Sequence, residues 1–186
     1  METTTQTQDA CIAFDAYDIE AVLFDGDPTR IYRARRCADG MPVMLKALRN
    51  ETAARQAAAC LQHEFEITRR LAVPSVIRAL ALERHAHLPV IVFEDFGGDS
   101  LNNLARNSQF SLEELLKIAI QAAHGLTEIH AANIIHKDIN PSNIVYNPVT
   151  GVVKIIDFGI SSYLTREQAA VAGPQVFEGS LPYISP

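Results

Sequence analysis

His136-Lys137-Asp138-Ile139-Asn140-Pro141-Ser142-Asn143, followed downstream by Asp157-Phe158-Gly159, is the stretch on which the reading of this chain turns. The first segment is polar and interrupted by Pro141, so it reads as an irregular loop. Asp138 and Asn143 are five apart in it, a spacing that brings a carboxylate and a carboxamide to one small site. A carboxylate accepts a proton, and an amide oxygen is a ligand for a hard cation. Two short apolar runs, 144–146 and 152–156, follow with a Thr150-Gly151 turn between them, and read as strands. Asp157 ends the second run, where a strand fixes its position, and Gly159 lets the chain turn away. One carboxylate, one carboxamide oxygen and waters are how Mg²⁺ is commonly held beside phosphates. The plainer alternative is a polar turn between two strands with a chance Asp-Phe-Gly.

Upstream of the loop, Ser111-Leu112-Glu113-Glu114 has the form of a capped helix start. The helix should run over 111–131, with Leu115, Ile118, Ala122, Leu126 and Ile129 on one face. A short helix is expected at 100–106. The first half reads differently. Weak alternation over 17–24, a turn at Asp25-Gly26-Asp27-Pro28, a strand over 29–35, a hairpin signal at Asp39-Gly40 and a strand over 41–48 make an antiparallel meander. A helical period covers 51–72 until Pro74 stops it. Strands at 76–82 and 88–93 follow, and Gly97-Gly98 breaks the chain. The expected class is α+β: five antiparallel strands and one helix, then a mostly helical part. The expected division is a loose tail over 1–16, one unit over 17–96 and a second over 97–186.

The first half carries its own pair of charges. Lys46 lies in the third expected strand, where a lysine is ordinarily a solvated face. At 100° per residue, Leu61, Glu64, Phe65, Thr68, Leu71 and Ala72 share one face of the following helix, and Glu66 points away. A carboxylate on an apolar stripe is costly unless a cation meets it, and Lys46 is the natural one. The alternative places Glu64 at the edge of the stripe.

Composition bounds the function. The 186 residues are 48% hydrophobic and 20% charged, as in a globular chain. The net charge of −6 argues against a general nucleic-acid binder. Cys11, Cys37 and Cys60 are odd in number and far apart with no CxxC pair, which fits reduced thiols better than a zinc site or redox pair. The polar start, 1–8, lacks the segments of a signal peptide, and no apolar run approaches the ~20 residues that span a bilayer. A cytoplasmic location with no membrane span is expected.

The pattern H-x-D-x-x-x-x-N followed by D-F-G resembles the signature of the protein-kinase superfamily, serine/threonine type. The resemblance implies a two-lobed fold and an ATP- and Mg²⁺-dependent transfer to Ser or Thr hydroxyls of a protein substrate. It implies that Asp138 is the catalytic base, that Asn143 and Asp157 hold Mg²⁺, and that His136 packs rather than reacts. Lys46, in Val43-Met44-Leu45-Lys46, would reach the α- and β-phosphates with Glu64 as its partner. Of the usual glycine-rich turn only Gly26 survives, with Phe24 and Thr29 in the other glycine positions. Ile31 would roof the adenine. Phe93-Glu94-Asp95-Phe96 resembles the hinge between lobes, with backbone groups of Glu94 and Phe96 on the adenine edge and Phe93 at the back. Val145 and Ile156 would form the pocket floor, or ordinary core.

Glu178-Gly179-Ser180-Leu181-Pro182-Tyr183-Ile184-Ser185-Pro186 resembles the end of an activation segment, one residue short of the expected Glu. Ser180 would bond near Asp138. The lower-lobe helices expected beyond it would leave apolar surface on 111–131. Two departures stand out. Lys137 replaces the usual Arg and offers only a point charge. Asn140 replaces the lysine that usually neutralises the transferring phosphoryl group, which implies slow transfer. The combination is similar to the N-terminal kinase-like domain of bacterial hybrid sensor histidine kinases with ATPase-like and GAF regions, which would covalently link downstream signalling domains. An ATP-binding pseudokinase module is the alternative. The Pro-Tyr-Ile-Ser-Pro ending argues against a small-molecule kinase.

Overall fold

A computed structural model describes residues 14–49, 54–85, 87–107, 109–163 and 180–183. The expected α+β arrangement is present. Strands β1 (Tyr17–Asp25), β2 (Thr29–Arg36) and β3 (Pro42–Leu48) form the meander, and helix α1 (Ala54–Arg70) follows. Strands β4 (Ala79–His85) and β5 (Leu88–Glu94) complete an antiparallel sheet in the order β1-β2-β3-β5-β4. Gly40, at φ 69°, closes the second hairpin in the left-handed region that glycine tolerates.

Alternation along β3 decides how the sheet is buried. Val43, Leu45 and Ala47 pack on one face with Phe14, Tyr17, Tyr32 and Val92. Met44 and Leu48 turn to the other, with Leu61 of α1, Ile77, Ile91 and Phe93. Lys46 shares the parity of Met44 and Leu48, so it faces α1. Phe14, within the expected loose tail, is buried and meets Tyr32 edge-on at 5.3 Å.

The second half holds β6 (Asp99–Ser100), α2 (Leu101–Asn107), α3 (Leu112–Ala131), β7 (Ile134–Ile135), β8 (Ile144–Asn147), β9 (Val152–Ile155) and β10 (Ser162–Tyr163). The Ser111 side chain accepts from Glu114 N, and the Glu114 carboxylate takes Ser111 N in return, completing the capping box. One apolar cluster joins the two halves: Ile67 in the last turn of α1, Leu71 just after it, Val76, Ile129 of α3, Ile134, Ile155 and Phe158. Gly125 permits this approach, since a Cβ there would crowd Ser75 and Ile155.

Two expectations need correction. The strand expected over 76–82 begins three residues later, at Ala79. Val76 and Ile77 are diverted to β9 instead: Ile77 N donates to Ile155 O at 3.1 Å and Ile155 N to Ser75 O at 2.8 Å. Leu115, expected on the inward face of α3, is 47% exposed, because Ile118, Gly125 and Ile129 are the residues that reach the core. Cys37 and Cys60 are free and exposed; Cys11 lies outside the described residues. No helix among the described residues is long and apolar enough to cross a membrane.

Candidate active site

The cleft between the sheet and the 136–143 loop is a cavity of about 400 Å³. Its upper wall comes from β1–β3 and its lower wall from the loop, β8 and the end of β9. At its inner end, Lys46 Nζ lies 2.8 Å from Glu64 Oε2, 3.0 Å from Glu64 Oε1 and 3.0 Å from Asp157 Oδ1. Lys46 and Glu64 are both buried. Burial works against the lysine's charge, but the two carboxylates outweigh it and hold its pKa above the ordinary value. Burial likewise opposes the Asp157 charge, and the adjacent Lys46 overcomes it, keeping the acid below its ordinary range. Glu64 is pushed upward by burial, which Lys46 offsets only in part. Asp157 sits at φ 66°, a strained conformation for a residue with a side chain.

The loop is built around Asp138. Asn143 Nδ2 donates to Asp138 Oδ2 at 2.8 Å and to Asp138 O at 2.9 Å. Ser180 N donates to Asp138 Oδ1 at 3.0 Å. With its nitrogen committed, Asn143 keeps its carboxamide oxygen for another partner. Asn140 is buried; its Nδ2 reaches Ser180 Oγ at 3.3 Å and Asp138 O at 3.4 Å, and its Oδ1 accepts from Ser142 N at 2.8 Å. It therefore ties the loop to Ser180.

His136 supports this loop from beneath. Its Nε2 lies 2.9 Å from Ile156 O and its Nδ1 3.3 Å from Asp138 N. A carbonyl only accepts and an amide only donates, so the ring is neutral with its proton on Nε2. Burial lowers its pKa and favours the same form. The Phe158 ring, fully buried, meets His136 edge-on at 4.7 Å.

The cavity gathers Lys46, Glu64, Asp138, Asn140, Asn143, Asp157 and Ser180. Ile31, Phe93, Val145 and Ile156 line it as well. Ile156 also packs against the cluster around Leu48, so floor and core are both its role. Three expected residues are not on the wall. Gly26 lies in the β1–β2 turn, its N–H donating to Thr29 O at 3.2 Å. The Glu94 carboxylate accepts from Arg78 N and pairs with Lys154. Phe96 O accepts from Asn147 Nδ2 at 2.6 Å, while Lys154 lies 5.5 Å from the Phe96 ring. The hinge segment is further pinned by Arg33, whose Nε is 2.6 Å from Asp95 Oδ2.

Leu23, Met44, Ile77, Asp99, Asn102, Asn103 and Ser142 also line the cavity and were not expected. Met44 was within reach of the sequence, since it shares the parity of Lys46 two residues on. Ile77 was not, because its place depends on the pairing of 75–77 with β9.

A five-stranded sheet and its helix, closed over a cleft with a buried lysine–glutamate pair above and an Asp–Asn–Asp set below, define a protein-kinase-type core. The model of the protein kinase domain matches residues 17–186, and the chain belongs to that family. It is 29% identical over 181 residues to a probable serine/threonine-protein kinase of Corynebacterium efficiens, covering 92% of this chain and 27% of the relative. It is 28% identical over 178 residues to the serine/threonine-protein kinase pkn3 of Myxococcus xanthus, covering 91% and 32%. Over 97 residues it is 37% identical to the serine/threonine-protein kinase PknA of Mycobacterium tuberculosis, covering 52% and 22%. The chain thus spans about a third or less of the length of these relatives.

Proposed function

We propose that this cleft binds ATP with Mg²⁺ and transfers the γ-phosphoryl group to Ser or Thr hydroxyls of a protein substrate. The observation that carries the reading is the convergence of Lys46, Asp138, Asn143 and Asp157, from distant parts of the chain, on one cavity. In this reading Lys46, held by Glu64, binds the α- and β-phosphates, and Asp157 and the Asn143 oxygen hold the metal. The fit is to Mg²⁺ rather than to a metal caged by protein: the described residues contain no cluster of three or more His, Cys, Asp or Glu ligands. Bound there, Mg²⁺ would neutralise phosphate charge. Asp138 orients the acceptor hydroxyl and takes its proton. Phe93, Val145, Ile156 and Ile31 enclose the adenine, and backbone groups near Glu94 and Phe96 meet its edge. Asn140 and Ser180 act as positioning residues, and the absence of a lysine charge at Asn140 makes transfer slow.

The nucleotide-binding module without turnover is the less favoured reading, because the groups for transfer are assembled as well as those for binding. The 17–96 and 97–186 division is our assignment of the two lobes. From the resemblance of the 136–143 loop and the 178–186 segment to the kinase-like domain of sensor histidine kinases, we further propose that this core works in the cytoplasm, linked to signalling domains.

The test is incubation with γ-labelled ATP and Mg²⁺ over arrayed peptides that present Ser, Thr or Tyr. Label on Ser and Thr peptides, dependent on Mg²⁺, is expected. Label on Tyr peptides only would overturn the acceptor class, and ATP binding without label would restore the pseudokinase reading.

A further inference from the structure

The β1–β2 turn contains a feature that neither the Lys46 site nor the loop uses. Residues consecutive in a strand ordinarily point to opposite faces. Leu23 and Phe24 nevertheless both line the cavity. The cause is a bulge in β1: Val22 pairs with Tyr32 and Phe24 with Ile31, so Leu23 has no partner of its own. Phe24, Ile31 and Lys46 then form one cross-strand row, since Ile31 pairs in turn with Lys46. Phe24 is two strands from Lys46, roughly 10 Å at ordinary strand spacing.

The ring is also given its place by Gly26. A Cβ on residue 26 would overlap the far end of the Phe24 ring. Gly26 is not among the glycines with positive φ, so the space it leaves, and not its backbone freedom, is what the turn uses. Phe24 is 53% exposed, a large apolar surface left open to water beside the cavity.

We infer that Phe24, aimed by the bulge and seated over Gly26, covers the uncharged base-and-sugar half of the adenine nucleotide and sets its affinity. The inference rests on the nucleotide reading above. An aromatic ring offers contact area and no charge, so it acts on the nucleoside and not on the phosphates.

The test is titration of the full chain with adenosine, ADP and Mg²⁺–ATP, read by calorimetry, for four proteins: wild type, Phe24→Ala, Gly26→Ala and the double variant. Phe24→Ala should weaken all three ligands by the same factor, roughly tenfold for loss of one aromatic contact. Gly26→Ala should do nearly the same, because its methyl displaces the ring. In the double variant the methyl meets no ring, so the loss should equal that of Phe24→Ala alone. Phe24→Leu should recover part of the loss. Unchanged affinities in Phe24→Ala, a loss confined to ATP and ADP, or additive losses in the double variant would each overturn the inference. A wild-type chain that binds none of the three ligands would instead overturn the nucleotide reading.

Discussion

Lys46 touches two carboxylates, and its neighbours decide what each substitution costs. In Lys46→Met, Glu64 stays buried without a cation, so a loss of about 3–5 kcal/mol is expected. In Glu64→Gln, Lys46 keeps Asp157 at 3.0 Å, and about 1–2 kcal/mol is expected. Urea unfolding of both variants checks the order; equal losses would mean that Asp157 does not share the charge. His136 gives a pH prediction. Its pKa is depressed in the folded chain, so the unfolded chain binds more protons below the ordinary value of 6.5. Stability from this group is complete above pH 6.5 and is lost as pH falls through the folded value. Asp157 is depressed too, but its loss begins only below 3.8. His136 should therefore lower the Tm on acidification below pH 6.5, against an opposite contribution from Glu64, whose folded pKa is raised. His136→Gln should be less stable at pH 7 but show a shallower acid slope; an unchanged slope would remove His136 as the cause.

At the scale of elements, local chemistry was the most readable part of the chain. Ser111 and Glu114 announced the start of α3, and both halves of the capping box are formed. Ser111→Ala should cost about 1 kcal/mol, measured by thermal or urea unfolding. Glu64 was legible for a similar reason: a carboxylate on an apolar helical stripe demands a partner. Elements whose place depends on distant pairing were less legible. Residues 76–77 look like strand, but β9 takes them, and β4 starts later. The bulge at Leu23 could not be read either, because a shift of register leaves no mark in composition. The Glu94 carboxylate, which pairs with Lys154 and accepts from Arg78 N, likewise depends on distant pairing that its sequence neighbours do not announce.

For the molecule as a whole, three packed clusters hold the sheet, α1 and the loop together, and a fourth lies under α2 and α3. The outer side of α3 is different: Leu112 is 73% and Ile120 68% exposed, with Leu116 between them at 54%. Contiguous apolar surface of this kind promotes association. The variant Leu116→Gln with Ile120→Lys should reduce self-association in light scattering while changing unfolding free energy by no more than about 0.5 kcal/mol per site. Unchanged scattering would show that this face is not what associates.

In the proposed reaction Asp138 takes the acceptor proton in a cleft that binds ATP through other residues. The most direct measurement is γ-phosphoryl transfer and ATP affinity on the same two proteins, wild type and Asp138→Asn. Transfer should fall at least about a hundredfold, the lower range for a lost general base, with ATP affinity nearly unchanged. Transfer that persists at the wild-type rate in Asp138→Asn would contradict it.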